Sequence, residues 1–154
     1  MAIQFLKEIE DSTLRFQLKE KRRYKNWLKT VAITENKKIG NIQYIFCEDN
    51  YLLNINQTYL QHDTYTDIIT FDGVEGNTLH GDIFISVERV SENAGKYNVT
   101  FERELKRVMV HGLLHLCGYK DKKRADASKM RSKENDYLEL ADTMELNFYA
   151  FFKW

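Results

Sequence analysis

Alternating apolar and polar positions predict four short strands in this chain. The predicted strands are rich in β-branched and aromatic residues, which suit a pleated and half-buried surface. They cover residues 2–6, 41–47, 67–72 and 80–87. A polar loop, 73–78, separates the last two strands.

Helical spacing and capping residues predict five helices, which cover about residues 13–32, 50–60, 86–96, 101–117 and 125–152. Thr100 is the predicted N-cap of the fourth helix. The acidic Glu102 and Glu104 suit its first turn, and Gly118 ends it. We therefore expect one α+β domain over residues 1–154, with a small central sheet flanked by helices.

Composition narrows the class of protein. The 154 residues are 43% hydrophobic, and 23 basic residues balance 23 acidic ones. This balance excludes a disordered polyelectrolyte and gives no overall basic field for nucleic acid. The longest apolar run, 108–119, is too short for a bilayer and contains two histidines. With only two cysteines and an N-terminus unlike a signal peptide, we expect a cytoplasmic protein with no membrane association.

The stretch HGLLHLCGYKD, residues 111–121, carries the most specific chemistry. His111 and His115 are four residues apart, so both point to one face of a helix. Gly118 can turn the chain sharply and bring Asp121 back towards them. The spacing predicts a metal site at a helix–turn, with ligands His111, His115 and Asp121. Three ligands would leave one coordination position for a water, as in catalytic zinc sites.

The same spacing matches the ligand pattern of metzincin metallopeptidases except at two positions. One exception is Gly112, which stands where those enzymes carry the glutamate that acts as general base. A metallopeptidase therefore stays an alternative that lacks its proton acceptor. A third hypothesis is a non-catalytic module in which zinc only stabilises the fold, and this requires a fourth protein ligand such as His62 or His80.

Three blocks together resemble the YbeY family of bacterial endoribonucleases. The family motif H-G-x-L-H-L-x-G-Y-D-H is similar to residues 111–121, with Lys120 and Asp121 in place of its last two residues. The blocks N-x-x-Y and T-D-V-L-S-F resemble residues 56–59 and 66–71, and a Gly-Asp pair that begins a strand resembles residues 81–85. Leu60 stands where the family commonly has an arginine thought to help with RNA, and His62 is a nearby polar alternative.

The resemblance implies a metal-dependent endoribonuclease specific for single-stranded RNA, with its metal in a cleft. For the non-catalytic alternative, it implies a ribosome-associated zinc module. It implies a role in ribosomal RNA maturation, at the 3′ end of 16S rRNA, and in ribosome quality control. Its partners would be ribosomal RNA with ribosomal subunits or assembly factors, and its cofactor one Zn²⁺ per chain. The carboxylate of Asp121 widens the choice of metal towards manganese or iron.

Two further residues are candidates for catalysis. Arg107 lies one turn before His111, where its guanidinium could bind a phosphate; the alternative is an ion pair with Glu104. Asp82 could orient a ligand histidine or act as a base through water, and Asp67 could also orient one, unless each is only a turn or cap residue. Two basic clusters could contact RNA, and the second adjoins the metal motif: residues 19–29, and Lys120, Lys122, Lys123, Arg124, Lys129 and Arg131.

Overall fold

The helix that carries His111 and His115 packs on a mixed four-stranded sheet. The computed structural model describes residues 2–60, 66–144 and 150–153. Its strands are β1 (Ile3–Glu8), β2 (Arg15–Leu18), β3 (Lys38–Cys47), β4 (Ile68–Asp72), β5 (Thr78–Ser86) and β6 (Ala150–Lys153). The order in the main sheet is β1-β3-β5-β4, with β4 antiparallel to β5 and the other neighbours parallel. The strands β2 and β6 form a separate antiparallel pair.

The helices of the described residues cover both faces of this sheet. They are α1 (Lys21–Thr34), α2 (Asp49–Leu60), α3 (Val87–Lys96), α4 (Phe101–Leu116) and α5 (Arg124–Thr143). Alternate residues of β5 divide between the two faces, because successive side chains of a strand point in opposite directions. Ile83 and Ile85 belong to the main core with α4, whereas Phe84 packs near Leu52 of α2. The predicted α+β class is confirmed.

Local capping explains where α3 and α4 begin. The Ser86 hydroxyl accepts a hydrogen bond from the Arg89 amide, and the Thr100 hydroxyl accepts one from the Arg103 amide, both at 3.1 Å. Gly118 has a φ of 106°, so the chain leaves α4 through a conformation that favours glycine. The predicted boundaries of these two helices are therefore confirmed. No helix of the described ranges is long and apolar enough to cross a membrane.

Two predicted helices are too long. The region predicted as helix 13–32 begins instead with β2, where Phe16 and Leu18 are buried and Arg15 and Gln17 are exposed. That alternation has the period of a strand, and pairing of Phe16 with Phe152 of β6 uses it. The predicted helix 125–152 ends at Thr143 and is followed later by β6. Both errors have one cause, because the two segments pair with each other across the chain.

Gly112 lets α4 approach the sheet closely. A Cβ added to this residue would lie 2.9 Å from Ile83 Cγ2 and 3.0 Å from Ile68 Cδ1. Contacts this short force neighbouring atoms to move. Gly112 therefore fixes the height of α4 over β4 and β5, and with it the position of the two histidines.

We expect Gly112→Ala to destabilise the protein by about 1–2 kcal/mol, because overpacking outweighs the gain in helix propensity. The free energy of unfolding from urea denaturation measures this. Gly95→Ala is the matched control, since Gly95 is also helical and nothing lies within 4 Å of its added Cβ. The control should be neutral or stabilising by up to about 1 kcal/mol. Equal effects of the two substitutions would contradict the close-packing explanation.

Candidate metal centre

The last two turns of α4 and the loop after it bring the three predicted metal ligands together. His111 Nε2 lies 3.0 Å from His115 Nε2 and 3.1 Å from Asp121 Oδ2, and His115 Nε2 lies 3.3 Å from the same oxygen. Ligands bound about 2.0–2.1 Å from a tetrahedral zinc lie roughly 3.3 Å apart. The triangle therefore has the dimensions of one face of a metal coordination sphere.

Hydrogen bonds at the other ring nitrogens fix the protonation of both histidines. Nδ1 of His111 lies 2.6 Å from Glu134 Oε2, and Nδ1 of His115 lies 2.9 Å from the Tyr119 carbonyl oxygen. Each of these partners only accepts a hydrogen bond, so each Nδ1 carries the proton in a neutral ring. Both Nε2 atoms then present lone pairs to each other and to the Asp121 carboxylate. Three electron-pair donors at about 3 Å repel one another unless a cation lies between them, so this donor set fits a metal ion.

Glu134 is the residue of the site that the sequence analysis missed. It lies on α5, is only 4% exposed, and also accepts a hydrogen bond from Arg107 Nη1 at 2.9 Å. Burial raises the pKa of the Glu134 carboxyl, but its bonds to His111 and Arg107 outweigh burial and bring the pKa below its usual range. Burial likewise lowers the pKa of His111, and Glu134 reverses this and raises it. Glu134 thus orients the His111 ring, as carboxylates behind metal ligands do.

Arg107 of α4 is bound to two residues of α5 rather than to Glu104. Its guanidinium bonds Glu134 Oε1 and Asn135 Oδ1, both at 2.9 Å, so the predicted ion pair with Glu104 is wrong. Arg107 also lines the cleft that contains the metal centre. Its contacts tie α5 to α4, and any contact with a phosphate stays a prediction.

Asp82 is not brought to the site. It lies on β5 opposite Gln43 and Phe71 and is exposed. The residues on either side of it, Gly81 and Ile83, face α4, so Asp82 points to the opposite face of the sheet. Its assignment as a catalytic residue is therefore corrected, because the sheet separates it from both histidines.

The other sequence candidates divide between the cleft and the rest of the molecule. Asp67, Thr66 and Thr70 line the cleft. Burial raises the pKa of the Asp67 carboxyl, and the nearby His111 opposes this rise. His80 accepts a hydrogen bond from the Asn41 amide and does not join the ligand cluster. His62 lies outside the described residues.

The cleft has a basic side next to the metal ligands. Its volume is about 860 Å³, and it runs between the end of α4, the following loop, α5, β4 and the end of α3. Three members of the second basic cluster line it: Lys120, Lys122 and Arg131. The cluster at residues 19–29 contributes no lining residue.

A carboxylate at the end of α1 anchors the loop that carries Asp121. Glu35 accepts hydrogen bonds from the Tyr119 hydroxyl at 2.7 Å and from the Tyr137 hydroxyl of α5, and Lys133 lies 3.4 Å away. Burial raises the pKa of Glu35, but these three groups outweigh burial and lower it. The anchored Tyr119 is the same residue whose carbonyl holds His115, so the loop and the ligand ring are positioned together.

Glu104 is a buried acid at the far end of the cleft. It is 5% exposed and lines the cleft, and its carboxyl makes no hydrogen bond or ion pair with the part of the chain that the structure describes. Burial raises its pKa to about 7; Asp67 and Glu134 add to the rise, whereas Arg107 and Arg131 oppose it. Arg107, the alternative partner considered for Glu104, is bound elsewhere, and this leaves a buried carboxyl at the wall of the cleft.

Fold and site define an α+β protein in which a helix–turn presents a two-histidine, one-carboxylate metal-type site to a cleft. The family model described as Endoribonuclease YbeY matches residues 7–142, so the chain belongs to this family. It is therefore an enzyme, a hydrolase acting on RNA.

Individual relatives and a solved structure agree with this assignment. The chain is 59% identical over 125 residues to Endoribonuclease YbeY of Flavobacterium psychrophilum, covering 81% of this chain and 89% of the relative. It is 51% identical over 119 residues to that of Bacteroides fragilis, covering 77% and 86%. The solution structure of TM1509 from Thermotoga maritima superposes with a TM-score of 0.62 at 27% identity, covering 90% of this chain and 88% of that one.

We expect Glu134→Gln to weaken zinc binding by about 10–100-fold, because a neutral amide no longer increases the basicity of His111. Competition with a chromophoric chelator measures the zinc Kd. Glu139→Gln, an exposed change on the same helix, is the control and should leave the Kd unchanged. Equal zinc affinity of the two variants would contradict the orienting role.

Tyr119→Phe removes the hydroxyl that anchors the ligand loop to Glu35 and should weaken zinc binding by about tenfold or less. Tyr137→Phe removes the other phenol on Glu35 without touching the loop. It should reduce thermal stability but not zinc affinity. If both variants bind zinc as the wild type does, Tyr119 serves packing alone.

Glu104→Gln should stabilise the protein more at pH 8 than at pH 5. The folded pKa of Glu104, about 7, exceeds its ordinary value of 4.5. The ionised group therefore destabilises the folded state as the pH rises from about 4.5 through 7. The difference in unfolding free energy between the two pH values should be about 3 kcal/mol. Glu102→Gln, in the same helical turn but ion-paired with Lys106, is the control; a matching pH dependence there would contradict burial as the cause.

Proposed function

We propose that the chain is a metal-dependent endoribonuclease that hydrolyses single-stranded RNA, with one zinc held by His111, His115 and Asp121. The observation that carries this proposal is the set of three electron-pair donors at about 3 Å, with both histidine protons committed to other partners. Membership of the Endoribonuclease YbeY family supplies the class of reaction. A bound zinc would supply a water acidic enough to act near neutral pH.

The protein groups around this centre have separable tasks. Lys120, Lys122 and Arg131 give one side of the cleft the positive charge that attracts a phosphate backbone. Glu134 and the Tyr119 carbonyl hold the two rings in the orientation that binds metal. Arg107 neutralises Glu134 and borders the cleft, where it can also meet a phosphate oxygen.

A biological role follows from the family resemblance. We infer that the RNA is ribosomal, that cleavage serves maturation of the 3′ end of 16S rRNA and ribosome quality control, and that ribosomal subunits or assembly factors are the partners. From these proposed partners we infer that the protein acts in the cytoplasm. The carboxylate ligand also suits manganese or iron, and the metal content of protein purified without chelator distinguishes these from zinc.

The position of Gly112 against the sheet disfavours the metallopeptidase alternative. The residue after His111 faces Ile83 and Ile68 of the sheet rather than the cleft. A glutamate in this position would meet the sheet, so the peptidase base has no room here. Of the two fourth ligands considered for the closed zinc module, His80 is bound to Asn41 and lies outside the ligand cluster of the described residues, and His62 lies outside those residues.

The decisive experiment compares wild type with His115→Ala in metal content and in cleavage of single-stranded RNA. We expect the variant to lose most of its zinc and at least about 100-fold in cleavage rate, because two ligands cannot hold the ion tightly. His80→Ala is the control and should retain both. A His115→Ala protein that keeps its metal and its cleavage rate would refute the proposal.

A further inference from the structure

The end of the cleft farthest from the ligand loop has a different chemistry from the metal centre. It is bordered by the end of α3, the first turns of α4 and the start of β4, with Asn93, Tyr97, Glu104 and Asp67 among its lining residues. Glu104 precedes His111 by seven residues, or about 10 Å along the helix. This end is therefore near the metal centre but separate from the metal ligands.

Glu104 is the feature at this end that requires explanation. Its side chain is more than nine-tenths buried, faces the cleft, and has no hydrogen bond or ion pair among residues 2–60, 66–144 and 150–153. A buried carboxyl without a partner destabilises a fold. Such a group is expected where a ligand supplies the missing donors, since proteins break local rules of stability mainly at functional sites.

Tyr97 provides an aromatic surface at the same end. Tyr97 is 53% exposed, and it lines the cleft from the end of α3. Lys96 Nζ lies 5.9 Å from the ring centroid. Exposed aromatic rings next to positive charge are the usual platform on which unpaired bases of single-stranded RNA stack.

We propose that this end of the cleft is a nucleobase subsite that selects guanine, with Tyr97 stacking on the base and Glu104 reading its edge. The inference rests on the proposed function in taking RNA as the substrate. Guanine presents two adjacent donors, N1–H and the 2-amino group, which match the two oxygens of a carboxylate. Uracil presents one donor between two carbonyl oxygens, and these oxygens repel a carboxylate.

The selected base would belong to a nucleotide next to the scissile phosphate. A separation of about 10 Å along α4 corresponds to the reach from a phosphate at the metal centre to the base of a neighbouring nucleotide. Lys120 and Lys122, at the opposite side of the cleft, are positioned for the backbone that leads away from it. The subsite therefore confers sequence preference next to the cleavage position.

The test measures binding of fluorescein-labelled hexamers by anisotropy, with EDTA present so that no RNA is cleaved. The hexamers are oligoadenylates with one central guanosine, inosine or uridine. Inosine differs from guanosine only in lacking the 2-amino group of the base. Wild type should bind the guanine hexamer about tenfold more tightly than the inosine one, the size of one lost base-edge contact. Glu104→Gln should remove this preference and raise the melting temperature. Tyr97→Leu should weaken all three hexamers alike.

Glu102→Gln is the matched control, because Glu102 lies in the same turn but pairs with Lys106. It should retain both affinity and preference. Equal binding of guanine and inosine by the wild type would overturn the proposal. A Glu104→Gln protein with a lower melting temperature and unchanged preference would overturn it as well, since the carboxyl would then be a structural partner. Because this assay uses no metal, a failure of metal-dependent cleavage leaves its result intact.

Discussion

The structure depends on one constraint, which is that two histidine nitrogens and a carboxylate oxygen are held 3.0–3.3 Å from one another. His111, His115 and Asp121 can face one another only because Glu134 and the Tyr119 carbonyl take the protons of the two rings. If either outer bond were lost, the ring could turn or change tautomer and present N–H to its neighbour. The hydrogen bonds behind the ligands therefore determine whether the cluster binds a cation or simply pairs with itself.

The rest of the fold serves this arrangement by bringing remote segments behind the ligands. α5 carries Glu134 to His111, and it also carries Tyr137 to Glu35 at the end of α1. Glu35 holds the side chain of Tyr119, whose backbone holds His115. Gly112 allows α4 to pack closely on β4 and β5. The site is thus positioned from three directions by contacts that lie outside the cluster of His111, His115 and Asp121.

The parts of the site that depend on local spacing could be predicted, and the parts that depend on tertiary contacts could not. The i, i+4 histidines and the glycine turn at Gly118 follow from helix geometry, and the structure places them as expected. Glu134 is 23 residues from His111, and Glu35 is 84 from Tyr119. One signal for Glu134 was available, because it occupies a position on the buried stripe of α5, where an acid must have a partner.

The strand errors have the same origin. Alternation in residues 15–18 was visible in the sequence, but strong helix formers around it favoured helix until its partner, β6, was known. Asp82 could have been placed correctly from period two alone, since its neighbour Ile83 is a core residue. The carboxyl group of Asp82 suggested a chemical role, but the alternation of side chains along β5 determines which face of the sheet it lies on. The sequence pattern therefore predicts a site best where one helix or strand supplies all of the residues of that site.

The charge distribution within the cleft bears on how a polyanion would lie in it. Lys120 and Lys122, on the loop after α4, line one part of the cleft, whereas the buried Glu104 and the half-buried Asp67 line another. A phosphate placed against the two carboxyls would meet like charge in a poorly solvated space, which is strongly unfavourable. A nucleobase meets no such repulsion and offers N–H donors instead. Electrostatics alone therefore favours one orientation of a bound strand, with its backbone on the lysine side and its bases directed towards the acids.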